Sequence, residues 1–181
     1  MILVDGKWLV DLLMKEGAEY AEVRHHSSRD FGMVMKNGSP EPPEYSEARG
    51  VGVRVKCSGA LAFASTNLMG RNNLRETGRR ALRAAKAMAG VSSQVGFSEE
   101  KVSRDKWGVE CRLNPTEVEP SSLLDLLKSI DSAIVSTRGP GFPKRLLVFG
   151  GSVEEKAYVN SEGTELQSTV PRVEGDFIIT A

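Results

Sequence analysis

Apolar side chains recur at Trp8, Leu9, Leu12 and Leu13, the spacing of one helical face, and Gly17 follows where a helix would stop. This spacing predicts a first helix of about three turns. The period then changes. In YAEVRHH, residues 20–26, Ala21 and Val23 alternate with Glu22 and Arg24, the pattern of a half-exposed strand. A second strand, FGMVMKNG, closes on Asn37 and Gly38, a pair that readily takes the positive backbone angles of a tight turn. The proline- and glutamate-rich SPEPPEYSE that follows is expected to be a loop or an irregular edge, since proline cannot donate to a central ladder.

The next stretch, GVGVRVKCSGALAFAST over residues 50–66, opens like a dinucleotide-binding loop. Such a loop needs Gly-x-Gly-x-x-Gly between a strand and a helix, and Val55 stands where the last glycine belongs. The chain also lacks the Gly-Lys-Ser or Gly-Lys-Thr of a P-loop. A hairpin accounts for the stretch better: Val51, Val53 and Val55 share one face, Ser58 and Gly59 turn the chain, and Leu61 and Phe63 alternate on the return. A long helix is expected over residues 69–89, ended by Gly90, with Leu74, Gly78, Ala81, Leu82, Ala85 and Met88 on one stripe. The small residues in that stripe let a helix lie close to a sheet. Arg75, Arg79, Arg83 and Lys86 form a separate basic ridge. It reads as a solvated face or as a site for phosphates or an acidic partner. Zero net charge and the absence of interleaved aromatics favour the solvated face, so no nucleic-acid partner is expected.

Residues 91–120 lose regular periodicity apart from the short alternating WGVECRL. A third helix is marked by Pro120 and by Ser122 three residues before Asp125, ahead of Leu123, Leu124, Leu127 and Ile130. After a turn at Gly139, Pro140 and Gly141 come four candidate strands, KRLLVFGGS, EEKAYVN, TELQSTV and DFIITA, with NSEG turning the chain between the second and third. The fold expected is α+β: an antiparallel or mixed sheet packed by the long alanine-rich helix, followed by the start of a second, strand-rich region. An N-terminal α+β domain is expected over residues 1–115. A helix and an incomplete strand-rich segment over residues 116–181 are expected to lead into a missing C-terminal domain.

Composition narrows the chemistry. With 181 residues, 40% of them hydrophobic, the chain can bury a proper core. No run approaches the roughly 18 apolar residues of a membrane span, and residues 1–4 do not resemble a signal peptide, so a cytoplasmic protein without a membrane partner is expected. Cys57 and Cys111 lie far apart without a Cys-x-x-Cys pair, which suggests neither a disulfide framework nor a zinc knuckle. The two histidines, His25 and His26, are neighbours on a strand, so their side chains point to opposite faces and do not readily share a metal. No Gly-x-Ser-x-Gly elbow offers a serine nucleophile. No catalytic, cofactor-binding or metal-binding residue is expected within the chain.

In their order, YAEVR, VMKNG, ARGVGVRVKCSGALAFAST, the alanine-rich helix with RRALRAAKAMA, and YVNSEGTEL resemble the N-terminal domain and following segment of the TldD/PmbA family, also called modulators of DNA gyrase. The likeness runs from Tyr20 to about Arg172 and is strongest over residues 50–66 and 160–163. The resemblance implies a cytoplasmic protein of peptide processing or protein degradation, working as a homodimer or as a TldD–PmbA heterodimer on unstructured peptide or protein. It also implies that a TldD-type parent carries zinc on a downstream His-Glu-x-x-x-His helix plus a later cysteine, whereas a PmbA-type parent lacks the site. None of those ligands maps onto a residue of this chain. Two readings follow: a noncatalytic front portion of a metallopeptidase, serving as scaffold, subunit contact and part of the substrate cleft, or part of a nonenzymatic binding subunit. Asn160, Ser161, Glu162, Gly163, Glu165 and Gln167 are the candidates for a peptide-capturing strand edge or an interface beside it.

Overall fold

The computed structural model describes residues 2–91, 94–138 and 144–180. Along the chain run α1 (Ile2–Lys15), β1 (Tyr20–Lys36), β2 (Ser39–Pro40), β3 (Glu44–Cys57), β4 (Ala60–Thr66) and α2 (Arg71–Met88). These are followed by β5 (Arg104–Gly108), a 3-10 turn at Pro115–Glu117, α3 (Pro120–Arg138), β6 (Lys144–Asn160) and β7 (Glu165–Thr180). Pairing is mixed: β3 with β4 is antiparallel and β5 with β7 is parallel, so the fold is α+β as the periodicities indicate. The chain forms two compact units, one made of Met1–Ser27, Arg49–Gly108 and Glu155–Thr169, the other of Ser28–Ala48, Val109–Glu154 and Val170–Ala181.

In the first unit the strands lie in the order β4-β3-β1-β6-β7-β5. The β3–β4 hairpin has the register read from the sequence, Val51 opposite Thr66 through Cys57 opposite Ala60, and its turn residues Ser58 and Gly59 take φ of 49° and 77°. Those positive angles suit the right-handed twist of the two strands. Val51, Val53 and Val55 are buried together with Leu74, Ala81, Leu82 and Ala85 of α2 and Leu9, Val10 and Leu13 of α1. Gly78 is the point of closest approach. A Cβ placed there would stand 3.0 Å from a methyl of Leu9 and 3.2 Å from both methyls of Leu13. Met88, expected on the same stripe, is instead 44% exposed in the last turn before Gly90.

In the second unit α3 covers Phe31, Met33 and Met35 of β1 and Leu147 of β6 through Leu123 and Leu127. The tight turn after β1 has Asn37 and Gly38 at φ of 52° and 81°. The Asn37 Oδ1 accepts from the Arg145 backbone N–H at 2.7 Å, and the Arg145 Nε donates to Asp131 Oδ1 of α3 at 2.7 Å. One arginine thus ties a turn, a strand and a helix.

Three expectations change. The two strands read at residues 20–26 and from Phe31 form one strand of 17 residues. The polar run between them contains no glycine or proline, so it interrupts the alternation without interrupting the backbone. SPEPPEYSE, expected to be a loop or an irregular edge, is loop only at residues 41–43: Ser39 and Pro40 form the short β2 against β1, off the main strand order, and Glu44 opens β3. The four C-terminal candidates are two strands. Gly150 and Gly151 stay inside β6, where a Cβ on Gly151 would sit 2.5 Å from the Cβ of Pro115, and Pro171 stays inside β7, past the last residue paired with β5. The turn expected at residues 139–141 lies outside the described residues.

The Gly78 contact sets a measurable constraint. Leu9 and Leu13 are fully buried and stand within 3.2 Å of the added carbon, so a branched side chain at 78 forces them to shift, and overpacking outweighs the gain in helix propensity. Gly78→Val is expected to lower unfolding free energy by about 2 kcal/mol in chemical denaturation. Gly96→Ala, whose new carbon meets nothing within 4 Å, is the control and changes stability by less than about 0.5 kcal/mol.

Candidate functional site

Alternation along β1 sends Ala21 and Val23 into the core of the first unit and leaves Tyr20, Glu22 and Arg24 for the other face of the strand. The alternation of a half-exposed strand puts Glu22 on its polar side, yet Glu22 is 4% exposed. The neighbouring strands explain the difference. Its Oε2 accepts from the Tyr20 hydroxyl at 2.7 Å and from the Tyr158 hydroxyl of β6 at 3.2 Å. Its Oε1 accepts from Arg24 Nε at 3.0 Å and lies 3.4 Å from Arg54 Nη1 of β3. A carboxylate with this many donors can be buried in its charged form. Phe97 covers the cluster, its ring 4.7 Å from that of Tyr20 and beneath Lys56 Nζ at 5.6 Å. Burial first, then the hydrogen bonds with Tyr158 and Glu22, push the Tyr20 hydroxyl well above the usual tyrosine range.

Beside this cluster lies a groove of about 580 Å³ within the first unit. Arg24, His26, Trp107, Lys156, Tyr158 and Leu166 line it, together with Gln167 and Ser168 of β7. Arg24 is held at Nε by Glu22 while its guanidinium carbon stands 5.1 Å over the Tyr158 ring. The sequence offered a faint signal for this face, the run Tyr20, Glu22, Arg24 opposite Arg54 and Lys56 on the non-valine side of the hairpin. What it did not show was Tyr158 and Trp107 arriving from distant strands.

The six edge or interface candidates separate. Asn160 and Gly163 build the turn between β6 and β7. The Asn160 Oδ1 accepts from the backbone N–H of Glu162 at 3.1 Å and of Thr164 at 2.9 Å, its Nδ2 donates to Glu162 Oε2, and Gly163 takes φ of 97°. Ser161 joins the turn to β1, donating through its N–H to the Ala21 carbonyl and accepting from the Ala21 N–H at Oγ. Glu165 stands across from Arg104 in the β5–β7 ladder, with its carboxylate 2.6 Å from Lys7 Nζ and 3.6 Å from Arg104 Nε. Gln167 stands across from Lys106 in the same ladder and reaches the groove wall. Between Glu165 and Thr169 the outer side of β7 is therefore occupied by β5, and β5 is the strand at that end of the order.

The basic ridge of α2 is stitched to α1. Arg79 donates to both carboxylate oxygens of Glu16, which holds that carboxyl below its ordinary range, and Lys86 donates to the Glu16 carbonyl. Arg75 stands over the Trp8 ring at 5.4 Å, and Arg83 is exposed. Cys57 is buried and Cys111 exposed, both as free thiols. Among the described residues no group of three or more His, Cys, Asp or Glu side chains is placed to hold a metal ion, and no helix is long and apolar enough to cross a membrane.

Solved structures share this architecture. TldE from Thermococcus kodakarensis matches with a TM-score of 0.76 at 15% identity, covering 97% of this chain and 42% of that one. A protein described as a modulator of DNA gyrase from Bacteroides thetaiotaomicron matches with a TM-score of 0.71 at 14% identity, covering 98% and 41%. The sequence carries the assignment further. Residues 21–89 match the PmbA/TldA metallopeptidase domain 1 and residues 113–181 the central domain that follows it, so the chain belongs to the TldD/PmbA family. A protein named a metalloprotease from Methanothermobacter thermautotrophicus is 25% identical over 178 residues, covering 94% of this chain. The chain spans between 36% and 42% of the length of these three relatives.

His25, 5% exposed, turns inward to a small cavity of about 70 Å³ beside Leu9, Val23 and Leu74. Desolvation lowers its pKa from the ordinary 6.5; Glu155 opposes this, while His26 and Arg49 add to it. Below the unfolded value the unfolded chain binds a proton that the folded one refuses. The stabilisation is therefore complete above the ordinary histidine value and is lost as pH falls through the lowered one. His25→Asn is expected to flatten the fall in thermal midpoint between about pH 7 and about pH 5 relative to wild type. Parallel curves would assign that pH dependence to other groups.

Proposed function

We propose that this chain is the noncatalytic front portion of a TldD/PmbA-like metallopeptidase acting in peptide processing or protein degradation in the cytoplasm. In this reading it supplies scaffold, subunit contact within a homodimer or TldD–PmbA heterodimer, and part of the cleft for unstructured substrates. The supporting observation is the consecutive match to domain 1 and the central domain of a metallopeptidase family by residues that include no clustered metal ligands among those described. Zinc and the water-activating carboxylate then belong to the rest of the parent polypeptide, where a catalytic zinc needs three protein ligands and an open position.

The test uses the full-length parent. Replacing His25 and His26 by Gln and Cys57 and Cys111 by Ala is expected to leave one bound zinc per chain, once folding is verified by circular dichroism. Loss of zinc from the folded variant would place a ligand in this segment and overturn the reading. A wild-type parent that binds the peptide but holds no zinc and cleaves nothing would establish the alternative, a nonenzymatic binding subunit.

A further inference from the structure

From the groove beside Glu22 we infer a binding site for a carboxylate carried on an apolar or aromatic group, received by Arg24, Lys156 and His26 and packed against Trp107 and Leu166. This goes beyond the reading above and does not depend on whether the parent is a peptidase.

Five observations carry it. The volume, about 580 Å³, is that of a pocket for a small ligand or for one or two residues of a peptide. Its lining holds arginine, lysine and histidine and no aspartate or glutamate. The one nearby buried carboxylate, Glu22, is saturated by Tyr20, Tyr158, Arg24 and Arg54, so it orients the site without cancelling it. Arg24 is the central donor. Its hydrogen bond among the described residues uses Nε, and its guanidinium carbon stands 5.1 Å over the Tyr158 ring, so Glu22 anchors one edge of the group while the Nη nitrogens can serve a planar, two-oxygen acceptor. Trp107, 52% exposed on β5, and Leu166 on β7 provide an apolar wall next to it.

A carboxylate fits this better than a phosphate. Every lining residue comes from a strand, β1, β5, β6 or β7, so no helix N-terminus or nest of successive backbone amides faces the ligand. The recognition offered is the planar fork of Arg24, with Lys156 and His26 beside it, next to the ring of Trp107.

The experiment is calorimetric titration of the complete protein with four probes: N-acetylphenylalanine, its amide, the peptide acetyl-Gly-Glu-Phe-amide, and inorganic phosphate. N-acetylphenylalanine is expected to bind at least about tenfold more tightly than its amide, and to weaken as salt rises. Binding of the glutamyl peptide in preference would name a side-chain carboxylate as the source, and binding of the free acid a terminal one; either supports the site. Arg24→Gln is expected to abolish binding but removes a partner of buried Glu22. Trp107→Ala and Lys156→Gln leave that cluster intact, and each is expected to weaken binding at least about threefold. No saturable binding of either carboxylate below about 10 mM, equal binding of acid and amide, binding of phosphate alone, or affinity unchanged in both Trp107→Ala and Lys156→Gln would overturn the proposal. Zinc content and peptide hydrolysis are not read in this assay, so its failure is separate from failure of the peptidase reading.

Discussion

The valine face of β3 has to be covered, and the manner of its covering organises the first unit. Val53 and Val55 are fully buried beneath α2, whose stripe of Gly78, Ala81 and Ala85 lets the helix axis come close to the sheet. The same absence of side-chain bulk at Gly78 admits Leu9 and Leu13 of α1. Hairpin, α1 and α2 therefore share one core, and each buried Val or Leu contributes about 1.5–3 kcal/mol of transfer free energy to it. Both helices are committed to one side of the strands. The reverse side of the same strands receives neither.

That asymmetry explains the polar cluster. Alternation forces Glu22 onto the side without helices, and there Tyr20, Tyr158, Arg24 and Arg54 supply the donors that a buried carboxylate requires. Phe97, from the irregular stretch after α2, closes over Tyr20 and Lys56. The basic ridge of α2 follows similar logic on the helical side. Arg79 and Lys86 are spent on Glu16 at the end of α1, and Arg71 pairs with Asp5 while standing over Trp8, so much of the positive charge fixes one helix to the other.

Local periodicity made much of the fold legible. The β3–β4 register, the turns at Asn37 and Ser58, the small-residue stripe of α2 and the start of α3 all rest on contacts within a few residues or across one hairpin. Strand continuity did not. Polar side chains between His26 and Phe31, the glycine pair in β6 and Pro171 in β7 look like interruptions, whereas a strand breaks only when its backbone lacks partners or space. Gly151 is a clear case: it reads as a turn signal, and the structure uses it to let Pro115 approach. Residues 160–163 were visible as a turn, but the sequence could not show that the Asn160 side chain spends its acceptor on holding that turn.

The same limit applies with more force to the groove. Arg24, Trp107 and Lys156 are separated by long stretches of chain and meet only because β5 adds in parallel to β7 while β6 lies between β7 and β1. No short motif can encode such a meeting. The glycine-rich hairpin, the stretch most suggestive of ligand binding when read linearly, has its valines in the core and its glycines serving close packing, with Phe63 lying 2.9 Å from where a Cβ of Gly52 would be. Chemistry in this segment is thus carried by side chains on the face the helices leave open. Glu22 is the residue that connects the two levels: its burial is a consequence of the strand order, and its bond to Arg24 converts that burial into a fixed cationic group at the groove.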